Sequence, residues 1–266
     1  MSDKKLEGAG LRGQVAGKTS LSTVGKAGKG LTYRCYPIEI LSEKAKFEEV
    51  AYLLMYGSLP NKDEYENYSN KLISMRSLPN PILEVLERIP ASAHPMDVMR
   101  TGCSMLGNIE PEGEFSNQQE SADRILATMA SIIVYWYKYS HEGKKVNTSS
   151  DYETIGGHFL SLLHGDEPSE DHIRCLDTSL ILYAEHGFNA STFTARTCAS
   201  TLSDIHSCIT GAIGTLRGPL HGGANEAAME LIEQFSTTEE AKSTVLKMLD
   251  NKEKIMGFGH AVYSTE

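Results

Sequence analysis

The sequence predicts a mainly α-helical protein. Three observations carry this reading. Apolar residues recur at intervals of three and four through most of the chain after Pro37, and Pro and Gly separate these stretches. No alternation of strands with helices is present, and no repeat of fixed period. At 266 residues, 40% hydrophobic and 23% charged, the chain is large enough for one or two cores and too apolar for disorder.

Before Pro37, alternation in Leu21 and Thr23 and then in Leu31, Tyr33 and Cys35 permits two short β strands near the N-terminus, around a Gly- and Lys-rich turn at 25–30. Phe47, Val50, Ala51 and Leu54 then share one face of a helix that Gly57 ends. Tyr65, Tyr68, Leu72 and Met75 mark a second helix before Pro79. Leu83, Leu86 and Ile89 mark a third before Pro90, and a fourth covers Asp97 to Leu106 before Gly107. The stretch 120–139 is apolar on more than one face, as in a helix packed inside a bundle. Ile173, Leu176, Leu180 and Tyr183 place a helix over 171–185. The stretch 191–213 reads as one helix rich in Ala, Ser, Thr, Cys and Gly, which allow close packing. A helical run covers 225–234, and Thr237 with Glu240 forms a capping box for a helix ending at Leu249.

Charge and composition exclude several classes of function. Lys and Arg number 25 against 35 Asp and Glu, a net charge of −10, so a broad cationic surface for nucleic acid is not expected. The most apolar stretch, Ile125 to Tyr139, is interrupted by Thr128, Ser131 and Lys138 and falls short of the ~18 apolar residues that a membrane span needs. Five cysteines without a C-x-x-C pair fit neither a disulfide framework nor a structural zinc site. The first residues carry no secretory or transit signal, so a cytoplasmic location is expected. Gly13 to Thr19 imitates a phosphate loop, but only three residues separate its glycines where the pattern needs four, and Arg12 stands where the first Gly belongs.

Three histidines stand in Gly-rich junctions. His221 lies in Gly218-Pro-Leu-His221-Gly-Gly-Ala-Asn225, just before a helical run, where imidazole and backbone N–H groups can meet a ligand at a helix N-terminus. His260 follows two glycines in Met256-Gly-Phe-Gly-His260. His186 lies between a helix ending at Gly187 and another capped by Asn189 or Ser191. Any one of them alone also fits a cap or a solvated loop residue; three together favour a site. Separations of 35 and 39 residues, with no H-x-x-x-H or H-E-x-x-H spacing, argue against a metal. His94, His141, His158, His164, His172 and His206 read as structural or surface residues.

In order and spacing these three motifs resemble those of the citrate synthase family. Gly10-Leu-Arg-Gly13, Thr23-Val-Gly25, Gly30-Leu-Thr-Tyr-Arg34 and His94-Pro-Met-Asp-Val-Met-Arg-Thr101 extend the resemblance over nearly the whole chain. Phe188 to Arg196 with Cys198 to Asp204 looks most like the members that condense propionyl-CoA with oxaloacetate. Use of acetyl-CoA is the runner-up reading, and a non-catalytic helical binding protein the third.

The resemblance implies a two-domain, all-α fold, with residues 1–221 in the large domain and 222–266 beginning the small one. It implies a homodimer whose sites borrow a residue from the partner. His221 would donate a hydrogen bond to the enolate of the thioester, His260 would polarise the oxaloacetate ketone, and His186 would hold an oxaloacetate carboxylate. Lys254, Ile255, Met256, Gly257 and Phe258 would contact coenzyme A, and no metal or redox cofactor is required. Two departures stand out. Gly187 occupies a position where relatives commonly carry Glu, and the family's catalytic Asp and substrate arginines follow the third histidine without counterparts in these 266 residues. A chain truncated at the C-terminus and incomplete for catalysis is therefore the expectation.

Overall fold

The computed structural model describes residues 17–24 and 30–258, so Gly10 to Gly13, most of the pseudo-phosphate loop, Gly25 and His260 lie outside the described residues. Three two-residue strands, β1 (Ser22–Thr23), β2 (Thr32–Tyr33) and β3 (Tyr36–Pro37), form a small antiparallel sheet in that order. Twelve helices follow among the described residues: α1 (Ile38–Lys44), α2 (Phe47–Tyr56), α3 (Lys62–Ser74), α4 (Asn80–Leu86), α5 (Pro95–Ile109), α6 (Gln118–Glu142), α7 (Ile155–His164), α8 (Glu170–Tyr183), α9 (Ala190–Ala199), α10 (Ile205–Leu216), α11 (Gly223–Glu233) and α12 (Thr238–Asp250). The mainly helical expectation is met. No described helix is long and apolar enough to cross a membrane.

The 25-residue α6 organises the largest core. Its Ile132, Tyr135 and Trp136 pack with Ile82 and Leu86 of α4, Val98, Cys103 and Leu106 of α5, and Ile213 of α10. Gly102 lets α5 approach α6, because a Cβ there would stand 2.5 Å from Ile132 Cγ2. A second core gathers Tyr33, Leu41, Val50, Leu53 and Ile181, joining the sheet and the first two helices to α8.

Several elements differ from their sequence expectation. Helix α5 continues through Gly107 to Ile109, since Gly107 faces the His206 side chain, where an added Cβ would come within 2.7 Å of His206 Cβ. This glycine serves packing and does not stop the helix. The single helix expected over 191–213 is two: Leu202 takes a left-handed φ of 63°, and Asp204 caps α10 by accepting from Ser207 N at 2.9 Å. Helix α7 escaped the periodicity because Gly156, Gly157 and the buried His158 separate its buried apolar residues Ile155 and Leu162; Thr154 starts it by accepting from Gly157 N at 3.0 Å.

A buried polar cluster ties α2, α7 and the 148–155 connection together. Glu48, fully buried, accepts from Ile155 N at 2.6 Å, and Arg76 Nη1 donates to the carbonyls of Ser150 and Tyr152. Burial raises the Glu48 carboxyl to about 7. Burial also drives His158, placed between Ser131 and Ser150, down to about 3. The signs oppose each other. A carboxyl raised on folding loses stability as pH climbs from its unfolded value near 4.5 to about 7. A histidine depressed on folding contributes stability that disappears as pH falls from 6.5 toward 3. Glu48→Gln keeps an acceptor for Ile155 N and removes only the first effect. Urea unfolding should therefore show the variant gaining roughly 1–3 kcal/mol relative to the parent between pH 5 and pH 8; a pH-independent difference would contradict the assignment.

Candidate active site

The first histidine junction is fixed from the sheet side. Tyr33, fully buried, donates its hydroxyl proton to Ile181 O at 2.9 Å and accepts from Glu185 N at 3.2 Å, so β2 holds the C-terminal end of α8. Gly187 turns the chain with a φ of 72°, and Glu185 Oε1 accepts from Gly187 N and from Ser22 Oγ. His186 is half-buried in this turn. Asn189 then starts α9, accepting at Oδ1 from Thr192 N at 2.9 Å; of the two caps the sequence allowed, the structure uses Asn189.

The second junction folds back onto it. After α10, a turn closes through His221 N to Gly218 O at 2.9 Å and Gly222 N to Leu216 O at 2.8 Å. Gly222 is required there, since a Cβ would lie 2.5 Å from Leu216 O. His221 Nε2 faces Ser191, with the backbone N at 3.4 Å and Oγ at 2.9 Å. A backbone N–H only donates, so Nε2 is the lone-pair nitrogen and the ring proton resides on Nδ1. Burial lowers the His221 pKa, keeping the ring neutral. The result is a neutral imidazole whose Nδ1–H is the donor left for a ligand.

The first turn of α11 is anchored on two sides. Asn225 Nδ2 donates to the Tyr183 hydroxyl at 2.9 Å, and His94, whose Nδ1 caps α5, places Nε2 3.2 Å from Glu226 Oε2. Arg217 Nε donates to Asp97 Oδ2 at 3.2 Å just before the loop. The segment 254–258 returns to α11: Gly257, at a φ of 88°, would place a Cβ 3.2 Å from Ala228 Cβ. Within it Lys254 and Gly257 are exposed, Ile255 and Met256 are half-buried, and the Phe258 ring is 78% exposed.

The structure thus brings Ser191, five residues after His186, against His221 in the connection between α10 and α11, and sets Gly257 against Ala228 within α11, while His260 lies outside the described residues. Sequence reasoning gave Ser191 no role toward His221, although the Asn189-x-Ser191 cap pattern marked its position. Tyr33 and Tyr183 were legible only as a strand and a helix position, without a role at the site, and Glu226 carried no signal. Among the described residues no group of three or more His, Cys, Asp or Glu side chains could hold a metal ion.

Comparisons with known proteins place the chain among its relatives. The family described as citrate synthase, C-terminal domain, matches residues 10–266. A 2-methylcitrate synthase of Shewanella oneidensis is 64% identical over 264 residues, which cover 99% of this chain and 70% of that protein. Citrate synthase 2 of Bacillus subtilis is 41% identical, covering 96% of this chain and 68% of its own length. The crystal structure of citrate synthase from Thermotoga maritima superposes with a TM-score of 0.82 at 37% identity, over 96% of this chain and 68% of that one. A ternary complex of citrate synthase from Thermoplasma acidophilum with carboxymethyl coenzyme A and oxaloacetate gives 0.85 at 27% identity, over 94% and 66%. With its whole described fold and nearly all its sequence matched, the chain belongs to the citrate synthase family.

Proposed function

We propose that the protein condenses propionyl-CoA with oxaloacetate and water, giving 2-methylcitrate and free coenzyme A. The observation that carries this reading is the neutral His221, held by Ser191 with its Nδ1–H left to donate. Removing the weakly acidic α-proton of a thioester requires that the developing enolate oxygen receive a hydrogen bond as the proton leaves. A neutral imidazole N–H meets that need without first losing a charge. The enolate carbon then attacks the oxaloacetate ketone, and water cleaves the resulting thioester to release coenzyme A.

In this reading His186 holds a carboxylate of oxaloacetate and His260 polarises its ketone. The stretch Lys254 to Phe258 lies against coenzyme A, where Gly257 allows close approach and the exposed Phe258 ring offers a stacking surface. The general base and the arginine partners of oxaloacetate follow the third histidine in the family pattern. Residues 1–221 form the large domain and 222 onward begin the small one, whose closure over the site keeps water from the enolate. The protein acts as a homodimer in the cytoplasm, without metal or redox cofactor.

Propionyl-CoA is preferred to acetyl-CoA because the relative at 64% identity is a 2-methylcitrate synthase, whereas relatives at 37–41% include citrate synthases. One methylene separates the two substrates, a discrimination of only ~1–3 kcal/mol. In the protein at its natural length, thiol release with oxaloacetate should show a higher kcat/KM for propionyl-CoA. The reverse preference would assign citrate synthesis. His221→Ala should lower kcat by about 10²–10³ with an unchanged unfolding midpoint, the usual cost of one preorganised oxyanion donor; activity within a few-fold of the parent would sink the reading. Nitrogen-15 spectra should show His221 protonated at Nδ1 and bare at Nε2, and still neutral at pH values where an ordinary histidine is charged. A proton on Nε2 would contradict the geometry.

A further inference from the structure

The stretch 94–101 has no task in the proposed reaction, yet its first turn touches both ends of the loop that carries His221. Asp97 Oδ2 accepts from Arg217 Nε at 3.2 Å, four residues before His221. His94 Nε2 lies 3.2 Å from Glu226 Oε2, five residues after it. Asp97 Oδ1 also pairs with Arg100 Nη2 at 3.1 Å, and the Arg100 side chain lies along α10, where a Cβ on Gly214 would stand 3.6 Å from Arg100 Cδ. The N-terminal end of α5 thus brackets the loop.

The two sides of the bracket differ in what else holds them. Before the loop, α5 and α10 are fixed by the main core, through Val98, Cys103 and Leu106 on one and Ile213 on the other. After it, α11 buries no residue, so apolar packing does not set where it starts. Its first turn is held by polar contacts, Glu226 to His94 and Asn225 to the Tyr183 hydroxyl, and Tyr183 is itself 66% exposed. His94 is the firmer anchor, because its Nδ1 accepts from Met96 N at 3.1 Å as the cap of α5. A backbone N–H only donates, so in the neutral ring the proton sits on Nε2 and points to Glu226. The contact is a directed hydrogen bond to a carboxylate and does not require a charged imidazole.

We propose that His94 and Glu226 are positioning residues for His221. Their hydrogen bond sets the first turn of α11 and, through it, the orientation of the His221 ring toward Ser191. Neither side chain touches substrate. The consequence for rate rests on the reading of His221 as donor to the enolate oxygen. Misplacing such a group by about 1 Å costs about 10²-fold, and loss of one tether among several should lower kcat about tenfold with KM unchanged.

The test compares Glu226→Ala, Glu226→Gln and His94→Asn in the protein at its natural length, by nitrogen-15 spectra of His221 and by steady-state kinetics. Glutamine keeps a side-chain carbonyl for His94 Nε2–H. Asparagine keeps an acceptor for Met96 N but is too short to reach Glu226. In Glu226→Ala and His94→Asn, His221 should divide between its two tautomers and kcat should fall about tenfold at unchanged KM and unfolding midpoint, while Glu226→Gln matches the parent. A His221 spectrum in Glu226→Ala identical to that of the parent overturns the proposal, whatever the rate. So does Glu226→Gln as impaired as Glu226→Ala, which would trace the effect to charge and not to the hydrogen bond. A change of tautomer at full kcat would uphold the positioning and overturn instead the donor role of His221.

Discussion

Ser191 and His221 stand thirty residues apart in the chain and meet through the Ser191 backbone N–H and hydroxyl against His221 Nε2. Most of the local architecture serves that meeting. The Asn189 cap fixes where α9 begins and so where Ser191 points, and the Gly218–Gly222 turn fixes the direction in which His221 leaves α10. Because a main-chain N–H has no acceptor role, one weak contact decides which ring nitrogen carries the proton. A side-chain hydroxyl alone would leave both tautomers open, since it can donate or accept.

The supports reach outward through the two cores. Tyr33, buried to nothing, transmits the position of the small sheet to the end of α8 and thereby to the His186 turn. From the other side, α5 packs on α6 through Gly102, and its N-terminal turn reaches α11 and the residue before the His221 loop through His94 and Asp97. The junction therefore rests on elements whose own places are set by close packing. The helices beyond it, α11 and α12, bury no residue, and Met229, Ile232, Leu246 and Leu249 are all more than half exposed. Burial among the described residues thus falls away over α11 and α12.

Much of this was legible in the sequence, for identifiable reasons. The helices with a clean apolar stripe, such as 47–56 and 171–183, were visible because burial on one face imposes the period. Glycine was the ambiguous sign: Gly57 ends a helix in the left-handed region, whereas Gly107 sits mid-helix because His206 needs its space, and periodicity does not distinguish the two. Helix α7 was missed because Gly156, Gly157 and His158 interrupt the apolar period between the buried Ile155 and Leu162, and the break at Leu202 was missed because Asp204, its physical cause, caps through a side chain that a hydropathy pattern does not see. Motif spacing singled out His186 and His221 as candidates but could not supply the His221 tautomer, which depends on a partner brought by the fold.

The central claim is that His221 acts as a neutral donor to the thioester oxygen. It is tested most directly by carbon-13 NMR of propionyl-CoA labelled at its carbonyl carbon, bound with an unreactive oxaloacetate analogue. A hydrogen bond at the oxygen polarises the carbonyl, so the account predicts a downfield shift on binding that disappears in His221→Ala while the ligand remains bound. The same carbonyl shift in the parent and the variant would contradict it.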